Sequence, residues 1–462
     1  MSKLVIDDAG LDRYIAACRN EYESALRTLV ETPTVSADPA RTADVRRGAT
    51  LAADLLRRCG GEAQIVETGG HPLVLGRLSS GNAHGGIAVY NHLDVQPAEE
   101  PEWQHDPFRL HIDGERYMGR GTTDDKGPAL AALFAARYAV QHGATVDVHF
   151  IWEFEEEIGS PHFDTAIAAQ AKRLPVDAVL VSDTVWIAQG IPAIAYGLRG
   201  LQGARLVLET GTKDTHSGLT GGAARNAVGE LAQVLSRCYD AATGRALIPG
   251  FYDDAAPLAA DEVREFLASG FSVAEFQRAH GLRSLRTQDS ESVVRRIWGE
   301  PTFEVHGIAG GYGGPGIKTI VPQRAEAKVS MRLVPNQEPT KMLRLLTAFV
   351  QSANPDVRVE DAGALPWYLG QRTGPYAEAA RRAIAYGFGK SPAFVREGGS
   401  IGAVVAMERH LHAPVLLMGL SLPEHGYHAP NEYFDWGQAA GGIKAFVHFF
   451  AEAGGIGKRQ EQ

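Results

Sequence analysis

Apolar positions recur at helical spacing over residues 11–32, at Leu11, Ile15, Tyr22, Leu26, Leu29 and Val30. Thr32-Pro33 stops that helix, because the residue before a proline is pushed out of the helical region. A second helix is predicted over 43–59 and closed by Gly60-Gly61. Short continuous apolar runs follow at 73–78, 87–90, 146–152 and 177–182, with a helical stretch at 128–141 between them. Strands of this unbroken kind, alternating with helices, predict an α/β unit: a mostly parallel sheet covered on both faces. After Gly200 the pattern changes. A strand at 204–209, a helix at 223–239, strands at 303–308 and 325–333, a helix at 339–352 and a strand at 356–360 follow the βαββαβ order of a ferredoxin-like α+β unit. The polar, helical stretch 241–300 reads as an insertion within it. From about 378 the chain returns to helix (378–387), strand, helix, strand (413–418) and a final helix at 436–453. The expected organisation is one domain built from 1–200 and 376–462, interrupted by a smaller domain over 201–375. Hinges are expected near 197–203 and 369–375, where glycines absorb backbone rotation.

A chain of 462 residues has room for these units, and its net charge of −10 argues against a nucleic-acid partner, which wants a basic surface. Cys18, Cys59 and Cys238 form no CxxC pair and no disulfide framework, and read as free thiols of a reducing compartment. The N-terminal stretch is interrupted early by acids and lacks a signal-peptide pattern. No apolar run reaches the roughly 18 residues of a membrane span. These features give an expectation of a cytoplasmic protein with no membrane partner.

Five segments at or just after expected strand ends carry the candidate chemistry, where open α/β sheets place their ligands. The strand at 87–90 runs into His92-Leu-Asp94, and residues two apart on a strand face the same way. Asp94 is therefore expected to hydrogen-bond the ring nitrogen that His92 does not offer to a metal. Gly119-Arg-Gly-Thr-Thr-Asp124-Asp125-Lys126-Gly127 brings an acidic pair close to a cation, or caps the helix that follows. Glu155-Glu156-Glu157 can supply a ligand and a neighbouring general base. Ser182-Asp183 ends a buried strand, and Glu424-His425-Gly-Tyr-His428-Ala-Pro-Asn431-Glu432 is a loop rich in polar groups. Oxygen and nitrogen donors without cysteine suit zinc, with cobalt or manganese also accepted.

These segments, in this order over nearly the whole chain, resemble the co-catalytic di-zinc peptidases. That family includes carnosinases, cytosolic nonspecific dipeptidase, carboxypeptidase G, aminoacylase and succinyl-diaminopimelate desuccinylase. The resemblance implies that Asp124 bridges two divalent ions, with His92 and Asp183 completing one site and Glu157 and His428 the other. It implies Glu156 as general base, with Asp94 behind His92. Two dications less the charges of Asp124, Glu157 and Asp183 leave roughly +1, enough to acidify a bridging water. The dipeptidase branch is the most similar. Asp214-Thr-His216-Ser-Gly218, Gly316-Ile-Lys-Thr319, Ser330-Met-Arg332 and Arg396-Glu-Gly-Gly399-Ser400 resemble its lid and substrate segments. Arg332 is thereby implied to bind the substrate's terminal carboxylate, near Thr319, Gly399 and Ser400. His216 is implied to stabilise the oxyanion in a neighbouring subunit's site. The small domain becomes a lid and dimerisation domain, and the chain a homodimeric dipeptidase for short peptides with a free C-terminal carboxylate. An N-acyl amino-acid amidohydrolase shares the metals and is the alternative. An inactive binding protein on the same fold is a remote one.

Overall fold

The computed structural model describes residues 6–456. The first five and last six positions of the expected catalytic unit lie outside the described residues. The large unit is a nine-stranded sheet. Its centre runs Asp147–Glu153, Gly86–His92, Ala178–Val181, Val415–Leu417, all parallel, and every residue of these four strands is buried. Burial on both faces explains why they read as continuous apolar runs rather than alternating ones. The flanks are antiparallel where Leu73–Leu78 meets Asp147–Glu153 and where Tyr368–Leu369 meets Ala193–Leu198. Helix Gly127–Gln141 is alanine-rich and buried nearly all round, so the helices Asp8–Val30 and Trp436–Ile456 can pack closely against it.

The smaller unit has four antiparallel strands, Gly200–Glu209, Thr302–Gly310, Arg324–Leu333 and Arg358–Leu365. Across the sheet their chain order is second, third, first, fourth, with helices Ala227–Cys238 and Pro339–Ala353 between them in sequence. This is the ferredoxin-like arrangement, with its own apolar core around Leu206, Leu231, Met331 and Leu346.

Two details differ from the sequence expectation. The connection between the units is a paired ribbon: Leu365 sits opposite Leu201, and Tyr368 opposite Leu198. A Cβ on Gly200 would come within 2.8 Å of the Leu365 carbonyl and the Trp367 amide, so this glycine is required by the close approach of the two strands. The polar insertion folds as three short helices, Ala260–Ala268, Val273–Ala279 and Ser290–Trp298. Its Phe266, Val294 and Trp298 join the core of the large unit, while Ala246, Ile248 and Phe251 at its start join that of the unit it interrupts in sequence. Tyr196 and Arg396 of the large sheet both engage the insertion's Glu262.

Candidate active site

The central strands deliver their C-terminal ends to one cleft. His92 is the last residue of its strand, Asp183 follows Ala178–Val181 by two, and Glu156 and Glu157 follow Asp147–Glu153. Asp124 comes from the turn before helix Gly127–Gln141, where Gly121 has a φ of 86° that only glycine adopts at no steric cost. His428 comes from the loop before Tyr433–Asp435 and itself has a φ of 55°.

The Asp124 carboxylate faces both histidines. Its Oδ1 is 2.9 Å from His92 Nε2 and its Oδ2 3.1 Å from His428 Nε2. Asp183 lies 3.7 Å from the same His92 nitrogen, and Glu157 lies 3.1 Å from the same His428 nitrogen. Two groups of donors thus share one carboxylate. The neighbouring Asp125 is a further candidate donor, since a ligand oxygen of it falls within 4.8 Å of those of His92 and Asp183. Its other engagement is with Asn91, which donates to Oδ2 at 2.7 Å and to Ser182 Oγ at 2.6 Å. Asp124 differs from it in that its two oxygens address different imidazoles.

The electrostatics call for cations. Burial, reinforced by the neighbouring carboxylates, pushes Glu156 and Asp125 well above the usual carboxylate range and Asp183 up to about 7. Burial and Asp124 raise Glu157 as well. Asp124 is the exception: the two imidazoles outweigh its burial and hold it low. His428 is lifted to about 11 by its bonds to Asp124 and Glu157, and His92 is raised as Asp124, Asp94 and Asp183 outweigh its burial. Asp124, Asp125, Glu156, Glu157 and Asp183 are crowded around two histidines. That is a surplus of buried negative charge which a pair of divalent ions would offset. The donors are carboxylate oxygens and imidazole nitrogens, so the residues present fit such ions.

A supporting layer fixes this geometry. Asp94 faces the His92 ring, as expected, and does more. Its carboxylate is 3.5 Å from His92 Nδ1, and its own backbone carbonyl is closer, at 3.1 Å. The carboxylate also accepts from Ser36 Oγ at 2.6 Å and from the backbone amides of Glu156 and Glu157 at 3.2 and 3.1 Å. It therefore anchors the loop that carries the expected base and ligand. Glu155, the extra acid of that run, turns away to His162 and the His71 amide. Gln96 donates to Glu157 Oε2 at 2.7 Å. Fully buried Glu432 accepts from the amides of Gly121, Thr123 and Asp124 and from Arg120, and so shapes the turn that presents Asp124.

A cleft of about 650 Å³ joins Asp124, Glu156, Glu157, Asp183 and His428 to Arg332, Gly399 and Ser400. Arg332 Nη1 donates to Ser400 Oγ at 2.9 Å. His216 and Thr319 do not line this cleft. They face each other at 3.5 Å in the exposed pairing of Thr215–His216 with Ile320–Val321. The sequence reading did not assign Gln96, Tyr427 or Glu397. Tyr427 Oη reaches Asp183 at 3.5 Å. Glu397 lines the cleft with an Oε2 that has no hydrogen-bond partner among the described residues, and burial followed by Asp183 raises it to about 8. Glu397 and Tyr427 fall inside segments already quoted, but nothing in their spacing marks them.

Known proteins are similar to this chain. The chain is 31% identical to the Beta-Ala-His dipeptidase of Homo sapiens over 95% of its own length and 91% of that protein's. It is 30% identical to the Cys-Gly metallodipeptidase dug1 of Schizosaccharomyces pombe, covering 95% and 96% of the two chains. The solved structure of the di-peptidase Dug1p from Saccharomyces cerevisiae superposes with a TM-score of 0.90 at 28% identity, over 97% of this chain and 98% of that one. The family model described as Peptidase family M20/M25/M40 matches residues 88–452. This enzyme belongs to Peptidase family M20/M25/M40.

Proposed function

We propose that the enzyme hydrolyses dipeptides that carry both a free N-terminal amine and a free C-terminal carboxylate, using two divalent cations, zinc first among them. The observation that carries this reading is the Asp124 carboxylate, whose two oxygens face His92 and His428 separately. His92, Asp124 and Asp183 would hold one cation, and Asp124, Glu157 and His428 the other. When bound, such ions polarise a carbonyl and acidify a water.

The chain's own groups supply the rest. Glu156, raised by its surroundings, takes the proton from the attacking water and returns it to the leaving amine. Arg332, steadied by Ser400, pairs with the substrate's terminal carboxylate and fixes its position along the cleft. Glu397 offers its unpartnered oxygen to the substrate's ammonium group. That charge separates a dipeptide from an N-acyl amino acid, which has no amine to place there.

His216 and Thr319 act in the cleft of a second copy, held by the lid domain of a homodimer. The exposed Leu219 and Ile317 beside them, at 86% and 95% accessible, support burial of this segment against another chain. No described helix is long and apolar enough to cross a membrane. The three buried free cysteines support residence in the reducing cytoplasm. The test is turnover of a panel of dipeptides and N-acyl amino acids by metal-loaded protein, with chelated protein as control. Dipeptide hydrolysis that vanishes on chelation and returns with zinc is expected. Turnover of acyl-amino acids alone would overturn the assignment.

A further inference from the structure

The cleft opens into a second chamber of about 520 Å³. The two share Glu397, Gly399 and Tyr427, while Arg332 and Ser400 do not line the chamber. The chamber therefore opens beside Glu397 and Tyr427.

Its walls are aromatic and aliphatic. Trp186 and Ile187 come from the segment just after Asp183, and Phe271, Phe276, Ile297 and Trp298 come from the insertion. The rings brace one another: Phe271 lies 5.5 Å from Trp298 and 5.7 Å from Phe276, and Trp298 lies 5.1 Å from fully buried Phe266. Trp186 spends its indole N–H on the Gly419 carbonyl, so only apolar ring faces the space. Two charges border it. Arg199 donates to the backbone carbonyls of Gly398, Arg296 and Glu300, and no carboxylate pairs with it among the described residues. Its positive charge opposes a cationic occupant, and Glu397, once ionised by pairing with the substrate's ammonium, opposes an anionic one.

We infer that this chamber receives the side chain of the substrate's N-terminal residue and selects a large, uncharged apolar one, aromatic above all. The inference rests on the peptidase reading: with the ammonium at Glu397, which lines both spaces, the side chain on the carbon that bears it is the one nearest the chamber. The insertion at 241–300 is thereby a specificity element, seated on the catalytic core because its aromatic residues wall the chamber.

The experiment compares kcat/KM for Phe-Ala and Gly-Ala on the wild type, Ala279→Phe and Phe276→Ala, where Ala279 lines the chamber and its replacement fills it. The wild type should favour Phe-Ala by about 10–100-fold, the effect of burying one aromatic side chain. Both variants should cut that ratio by roughly tenfold. A wild-type ratio within about twofold of unity, or an unchanged ratio in the filled variant, overturns the inference. Calorimetry on chelated protein with phenylalaninamide and glycinamide keeps the two readings apart. If no dipeptide is hydrolysed but phenylalaninamide binds at least about tenfold more tightly, the peptidase reading fails and the chamber assignment stands. Equal binding of the two amides ends the assignment.

Discussion

The two halves of the metal centre are built differently. His92 terminates a fully buried strand, has both ring nitrogens engaged, and has a side chain only 1% exposed. His428 sits on a loop in a left-handed backbone conformation, with its side chain 57% exposed. Asp124 links the rigid half to the accessible one, and Glu432 and Gln96 hold the second half from behind. A site on strand ends is positioned by the core, whereas one on a loop needs its own hydrogen-bond scaffold.

Removing the link should have the largest effect. Asp124→Asn is expected to lower dipeptide hydrolysis by more than about 10³-fold and to leave fewer than two metal ions per chain by elemental analysis of dialysed protein. Glu156→Gln should lower kcat by about 10²–10⁴-fold with both ions retained, since the base touches the water and not the metal. Full turnover in that variant would remove Glu156 from its role. The halves themselves should then separate. His92→Ala removes a buried, hydrogen-bonded ring and should cost on the order of 1–3 kcal/mol of stability in denaturant unfolding of chelated protein. His428→Ala removes a more exposed ring but also a partner of buried Asp124 and Glu157, and should cost less stability than His92→Ala while losing one ion. Equal destabilisation would erase the contrast drawn between them. The smallest effect expected is that of Gln96→Ala, a 10–100-fold loss of affinity for one ion, read in a metal titration with a competing chelator.

The features that the sequence exposed are those in which local pattern and chemistry coincide. The strand at Gly86–His92 ends in His-x-Asp, and the glycine-framed turn before the helix at Gly127 carries Asp124. Both are short segments whose residues act where they stand. The ferredoxin-like unit was legible because each of its strands and helices is long and periodic. The strand Glu62–Val66 was not, being short, polar and only partly buried at a sheet edge. The strand Ala193–Leu198 was hidden because its glycine and its closeness to Gly200 read as a hinge, whereas pairing with Tyr368–Leu369 makes it part of a ribbon. Residues that work from a distance left no local signal. Glu432 reaches back 308 positions to the Asp124 amide, and the carboxylate of Asp94 holds backbone amides more than 60 residues away besides facing the His92 ring. The insertion's aromatics are likewise ordinary helix residues until the fold sets them beside Glu397 and Tyr427.

The central claim is that Asp124 bridges two cations between a buried and an exposed histidine. Anomalous diffraction from zinc-loaded crystals tests it most directly. Two peaks about 3.5–4 Å apart are predicted, one beside His92 and Asp183 and one beside His428 and Glu157, with the Asp124 carboxylate between them. A single ion in enzyme that is fully active on dipeptides, or two ions that do not share Asp124, would contradict it.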